Sequence, residues 1–397
     1  MDLATARWLV SPRAQPFLAE IAEVPDPGAL AVATRLRRTL TPERAAAVTA
    51  QVTLRREAKK KFPGLAGSLF LTRDGLEQAT RWEVARWRAG RLREATGADD
   101  LWDLGCGIGA DALAAATRGI GVTGVEIDPV TAVFAAANLA GVRGRVDVAD
   151  VTAIALPAAT TALFADPARR SERGRSWSID DLTPSWGWAS GLAEKHRGPV
   201  VLKLAPGFPH RLIPDQAEAL WVSHRGDLVE TSLWFGPGAI AGRRAAVVVG
   251  ETQAHVLEAD RASVPLGPLT GFLHEPDPAV IRARAIGALA ERLDAHAVAD
   301  GVAYLTGDVA AAERGLDGWA TSFAVEEVFP FDERQLRAWA TRQGVGTLEI
   351  KVRGLDVDPA ALRRRLRLRG SRSATIVLTP LTEAGRTRAV VVVVHRL

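Results

Sequence analysis

The chain holds a single cysteine, Cys106, among 397 residues. One thiol excludes an internal disulfide framework and fits a reducing compartment. No run approaches the roughly 18 uninterrupted apolar residues of a membrane-spanning helix. Met1–Ala4 has no basic stretch leading into an apolar core, so neither a membrane span nor a signal peptide is expected. The seven histidines show no metal-ligand spacing and no cysteine cluster supports zinc, so no metal is expected. Repeats and low-complexity segments are missing as well, and residues 1–97 contain no convincing strand. What is present is 47% hydrophobic residues, enough for a sizeable core spread over two or three domains. The expectation is a cytoplasmic protein.

Charge is sparse in net terms, +4, but uneven. Residues 341–397 carry 12 Lys and Arg against 4 Asp and Glu, a net of +8, so the preceding residues carry −4. A basic end on a near-neutral body points to a polyanionic partner, although arginine is frequent throughout this chain.

The chain is organised around Leu101–Asp111. Apolar residues end a strand, Gly105, Gly107 and Gly109 make a tight turn, and an Ala-rich helix follows from Asp111 to Thr117. Only glycine turns this sharply while leaving room for a ligand against the backbone, and a helix start behind the turn presents free amides. Dinucleotide sites place G-x-G-x-x-G at the same position. Here the pattern is Asp-x-Gly-x-Gly-x-Gly, without the third glycine at that spacing. Val122–Glu126 reads as a second strand, and an acid at its tip can accept both hydroxyls of a ribose. Val146–Ala149 is a third strand ending at Asp150, and Leu163–Ala165 a fourth ending in Asp166 and Pro167.

At these residues the segment resembles class I S-adenosylmethionine-dependent methyltransferases. The resemblance covers about residues 98–250 and implies a Rossmann-like seven-stranded sheet. It implies a methyl-donor site at Asp103, Gly105, Gly107, Gly109, Glu126, Ile127 and Asp150, with Glu126 on the ribose and Asp150 on the adenine. Val200–Leu204, then Ala219–Ser223 taken together with Leu228–Phe235, then Ala245–Gly250 complete the sheet.

Around this unit the expected organisation is an N-terminal helical region (1–97), the donor domain (98–250), a connecting segment packed on the catalytic domain (251–330) and a small basic α/β module (331–397). Helices are expected from Thr41 to Lys61, from Thr72 to Arg93 and from Asp277 to Leu293. In the last module the order of elements, and Leu348–Gly354 in particular, resembles the THUMP-like domain found after methyltransferase domains. THUMP domains bind RNA, and the THUMP-like name marks a more distant relation.

Asp166-Pro167 stands where this class places its reactive-group motif. Enzymes that methylate exocyclic amines of bases carry Asn/Asp-Pro-Pro-aromatic there, the aromatic stacking on a flipped base. Ala168 and Arg169 depart from that pattern. Asp166 remains an acceptor or base, and an Arg plane can itself stack on a base. Arg169, Arg170, Arg173 and Arg175 crowd the loop beyond it, as phosphate grips or as a solvated loop. Lys203 ends the fifth strand, facing the substrate or pairing with Asp166. Gln78, in the segment before the donor domain, either reaches the site or packs its helix. Cys106 lies within the donor turn and has no second cysteine, which disfavours methylation of a pyrimidine carbon through a cysteine nucleophile.

Arg363, Arg364 and Arg367, with Arg365, Arg369 and Arg372, form the densest basic run. It is either a solvated helix face or a phosphate grip. The combined expectation is an S-adenosylmethionine-dependent RNA methyltransferase. Methylation of a small molecule or a protein, and an RNA-binding protein that keeps the fold as a scaffold, stay open as alternatives. The intact set Asp103, Gly105, Gly107, Glu126 and Asp150 argues against a scaffold.

Overall fold

The N-terminal residues are helical, and local signals start several of the helices. A computed structural model describes residues 1–169, 179–260 and 263–397. In it, α1 (Leu3–Val10) begins at Asp2, whose carboxylate accepts the Thr5 amide at 2.7 Å. α2 (Gln15–Ala22) and α3 (Leu30–Leu36) follow without a side-chain cap. α4 (Pro42–Ala58) has the Thr41 hydroxyl as its cap and Pro42 in its first turn, both favourable there. The single helix expected from Thr72 to Arg93 is two helices, α5 (Arg73–Gln78) and α6 (Trp82–Thr96). The break has a tertiary cause. Thr80 is buried and donates to Asp111 at 2.8 Å, and the Trp82 amide bonds the Lys61 carbonyl at 3.0 Å. These bonds override local helix propensity.

Strands and helices then alternate: β1 (Asp100–Leu104), α7 (Ala110–Ala116), β2 (Gly121–Glu126), α8 (Pro129–Asn138), β3 (Gly144–Val148) and β4 (Ala162–Ala165). A short antiparallel pair, β5 (Ala168–Arg169) with β6 (Leu182–Thr183), precedes α9 (Trp186–Lys195), β7 (Val200–Leu204), β8 (Glu218–His224) and β9 (Asp227–Phe235). The chain divides into two compact units, and Met1–Ala219 with Glu230–Gly242 makes the first. Its sheet has parallel ladders in the order β3-β2-β1-β4-β7, with β9 antiparallel to β7. All of β4 and all of β2 but its last residue are buried, as parallel strands covered on both faces require. From β1 the chain steps outward to β2 and β3, then crosses to β4 on the other side. The carboxyl ends of β1 and β4 flank this switch point, where such sheets take their ligands.

The second unit is Leu220–Val229 with Arg243–Leu397. It contains most of β8, and β10 (Arg244–Val249) paired antiparallel with β11 (Ala254–Glu258), a strand additional to those expected. The elements that follow are β12 (Phe272–Pro276), α10 (Pro278–Ala283), α11 (Ile286–Leu293), β13 (His296–Ala297), β14 (Leu305–Gly307) and β15 (Ala320–Pro330). Then come α12 (Glu333–Arg342), β16 (Val345–Val352), α13 (Pro359–Leu366), β17 (Arg372–Glu383) and β18 (Arg386–Arg396). The expected helix from Asp277 to Leu293 is interrupted at Arg284, which takes φ 63°, while the Ala285 amide closes on the Val280 carbonyl at 3.0 Å. That is a left-handed C-terminal cap.

β12 to β18 form one sheet in the order β13-β14-β12-β15-β18-β17-β16. The segment 251–330 thus supplies four of its strands. β18 alternates with period two. Val391 and Val393 pack with Leu336, Trp339, Leu362 and Leu366 of α12 and α13, while Val390, Val392 and Val394 pack with Val298, Tyr304 and Phe323. No described helix is long and apolar enough to cross a membrane.

Candidate functional site

Gly105, Gly107 and Gly109 have φ of 89°, 54° and 78°, a region other residues enter only with strain. A Cβ on Gly105 or Gly107 would meet no atom within 4 Å, so the turn opens onto free space. On Gly109 it would touch Ala135 at 3.5 Å, which shows how closely α8 backs the turn. The amides of Gly105 and Cys106 both bond the Val125 carbonyl, at 2.9 and 3.0 Å, locking the turn to the end of β2.

Glu126, at the tip of β2, accepts the Gly107 amide at 2.9 Å on one carboxylate oxygen and the Asp128 amide at 2.9 Å on the other. Its orientation is therefore fixed, and each oxygen keeps a further lone pair. Ile127 beside it is 66% exposed. Asp150, beyond β3, accepts the Thr152 amide at 2.8 Å and the Thr152 hydroxyl at 2.7 Å. Hydrogen bonds from Thr152 hold its carboxyl below the usual range. Asp103, near the end of β1, is 1% exposed, and its Oδ2 has no hydrogen-bond partner. Burial, and then the negative charges of Asp111 and Asp166, push its pKa well above the usual carboxylate range, against the pull of Arg88.

Asp166, just past β4, is ion-paired with Lys203 of β7. Burial disfavours the Lys203 charge, but Asp166, Asp111 and Glu230 outweigh it and raise its pKa. Of the two placements open in the sequence for Lys203, the pair is the one formed. Gln78 is exposed at the end of α5. Cys106 is buried, and burial followed by Asp103 and Glu126 pushes its thiol far up, so it is no nucleophile at neutral pH. Arg170 and Arg173 lie outside the described residues, and for Arg169 the description is confined to its backbone, which pairs with Leu182.

A buried charge beside the site escaped the sequence reading. Arg88 of α6 is 4% exposed and ion-paired to both Asp111 of α7 and Glu230 of β9. Its guanidinium lies 4.8 Å from the centroid of the Phe164 ring. A signal was available: Arg88 stands among Val84, Ala85, Ala89 and Leu92 on the buried face of its helix, where an unpaired charge would be costly.

In the second unit, Arg363 of α13 donates through Nε to the Leu348 carbonyl at 2.8 Å. Arg365 is ion-paired with Glu333. Arg364, Arg367 and Arg369 are exposed and form no side-chain hydrogen bond or ion pair among the described residues.

This geometry meets its relatives in sequence. The chain is 35% identical over 338 residues to an uncharacterized S-adenosylmethionine-dependent methyltransferase of Mycobacterium tuberculosis, covering 82% of this chain and 90% of that protein. The chain belongs to the S-adenosylmethionine-dependent methyltransferases. A crystal structure of a candidate methyltransferase from Porphyromonas gingivalis W83 shares the fold, with a TM-score of 0.73 at 19% identity over 96% of this chain and 98% of that one. The THUMP domain-like family matches residues 320–396 of the methyltransferase, and a domain family of unknown function matches residues 2–58.

The residues fit the methyl donor this family uses. S-adenosylmethionine carries an ammonium and a sulfonium, and Asp103 offers a buried carboxylate oxygen without a partner. The turn at Gly105 and Gly107 leaves the space, and Glu126 is held ready to accept hydroxyl donors. The bound donor supplies an electrophilic methyl group.

Proposed function

We propose that this methyltransferase modifies RNA. The observation that supports the reading best is a coincidence: the THUMP domain-like match at 320–396 falls on the strongly basic end of the chain. Arg364, Arg367 and Arg369, exposed arginines of the basic run with no side-chain hydrogen bond or ion pair among the described residues, are the phosphate grip in this reading, with Arg363 contributing from the same helix. Such a grip supplies affinity without sequence preference.

At the donor site, Asp103, Gly105, Gly107, Gly109, Glu126, Ile127 and Asp150 hold the cofactor. Asp166, ion-paired with Lys203, accepts a hydrogen bond from the group to be methylated and so aligns its lone pair on the donor methyl. Positioning of this kind can supply much of the rate of a simple displacement. Arg169, Arg170 and Arg173 meet the substrate by stacking or by binding phosphate.

The test uses the purified full chain with methyl-tritiated S-adenosylmethionine and total cellular RNA. The reading expects acid-precipitable label that ribonuclease releases. Label that appears only in protein or in small molecules contradicts it.

A further inference from the structure

Leu69, Phe70 and Leu71 lie outside any helix or strand, yet they are only 5%, 6% and 1% exposed. Buried backbone of this kind must find partners for its amides and carbonyls, and here carboxamide side chains from two helices, with Arg55 on the Leu69 carbonyl at 2.8 Å, supply several of them. Gln51 of α4, 1% exposed, donates to the Leu69 carbonyl and accepts the Leu71 amide, both at 3.2 Å. Asn138, the last residue of α8, accepts the Phe70 amide at 2.7 Å and donates to the Phe70 carbonyl at 2.9 Å. Its Nδ2 also donates to the Ile108 carbonyl, inside the glycine turn, at 2.8 Å. A carboxamide combines donor and acceptor in one rigid plane, which is what this double duty needs.

We propose that Asn138 is a positioning residue for donor binding: it ties the strap 69–71, and through Gln51 helix α4, to the glycine turn, and so sets where the turn stands for S-adenosylmethionine. Two packing contacts support this, one on the turn itself and one on α8. A Cβ on Gly75, four residues beyond the strap, would stand 2.4 Å from the Ile108 side chain, so α5 is pressed against the turn. Phe70 also packs on Phe134 of α8, with ring centroids 6.0 Å apart. Helix α4, the last part of the segment 2–58, thereby belongs to the donor site.

A tie that only supports the fold would lower the melting temperature and leave the donor affinity of folded protein unchanged. A tie that positions the turn moves the affinity itself. Asn138→Asp keeps the acceptor for the Phe70 amide and loses both donated bonds. In calorimetric titrations of the full chain with S-adenosylhomocysteine, the variant is expected to bind about tenfold more weakly than the wild type, as for a lost hydrogen bond to a buried group. Wild-type binding in the same titration secures the cofactor assignment independently. A folded variant with wild-type affinity overturns the proposal.

A second measurement needs no variant. Linkage is reciprocal, so S-adenosylhomocysteine must strengthen the tie. Hydrogen exchange at the Phe70 amide is expected to slow more than at the Leu18 amide of α2. Equal slowing at both, or none at Phe70, overturns the proposal.

Discussion

Lys203 holds the carboxylate of Asp166 in an ion pair that bridges the ends of β7 and β4. The lysine is the more enclosed partner, with 13% of its side chain exposed against 33% for the aspartate. Asp166 therefore presents an anchored carboxylate to solvent, while its counter-ion stays behind it.

This arrangement separates a structural from a catalytic role for Asp166. Asp166→Ala is expected to lose methyl transfer by at least about a hundredfold, in the range of a lost acid–base or positioning group, with donor affinity retained. Lys203→Met is expected to leave Asp166 without its counter-ion and reduce transfer as well. Stability, donor affinity and transfer are to be measured on the same preparations. A folded, fully active Asp166→Ala protein removes Asp166 from the mechanism.

Glu126 anchors the glycine turn and, in the proposed reading, also holds the ribose of the donor. Glu126→Ala removes the acceptor for the Gly107 amide as well as the ribose partner, and is expected to weaken S-adenosylmethionine binding by about 1–3 kcal/mol. Glu126→Gln keeps the acceptor geometry in part and is expected to lose less. Calorimetric titration checks the order, and unchanged affinity in the alanine variant contradicts the assignment.

The basic run divides into side chains with and without protein partners. Replacing Arg364, Arg367 and Arg369 with glutamine is expected to weaken RNA binding and to flatten its salt dependence by about 0.7–0.9 logarithmic units for each phosphate no longer neutralised. Arg365→Gln, which removes the partner of Glu333, is expected to change that slope less. Filter binding across a salt series distinguishes them, and equal slopes in every variant mark the run as a solvated face.

His274 in the second unit gives a pH prediction. It is fully buried, and burial lowers its pKa to about 4. The unfolded histidine, near pKa 6.5, binds a proton that the folded one refuses, so stability rises with pH between about 4 and 6.5. Acidification through that window is expected to cost up to about 3 kcal/mol, at about 1.4 kcal/mol per unit. Denaturant unfolding at pH 4, 5 and 7 measures the slope. His274→Gln is expected to flatten it, and an unaltered slope in that variant assigns the acid sensitivity elsewhere.

Local chemistry made the glycine turn and the acids at the strand ends readable in the sequence. Gly105, Gly107 and Gly109 are dictated by backbone conformation at their own positions, and Glu126 and Asp150 follow from standing at strand ends. The methyltransferase fold and the strands of its sheet were legible for the same reason. What was hidden is long-range. Arg88 meets Glu230 across 142 residues, and Asn138 meets Phe70 across 68, and no periodicity announces either pairing. Thr80 breaks a helix because Asp111 lies opposite it, which a local window cannot contain. α2 and α3 went unread because both are short and neither has a side-chain cap.

The most direct test of the central claim compares nucleosides. RNA from cells lacking this methyltransferase, from cells restored with the wild-type chain and from cells restored with Asp166→Ala is digested and analysed by mass spectrometry. The account predicts one methylated nucleoside that disappears with the protein, returns with the wild type and does not return with Asp166→Ala. Identical nucleoside profiles in all three, with S-adenosylmethionine binding intact, would contradict RNA as the substrate.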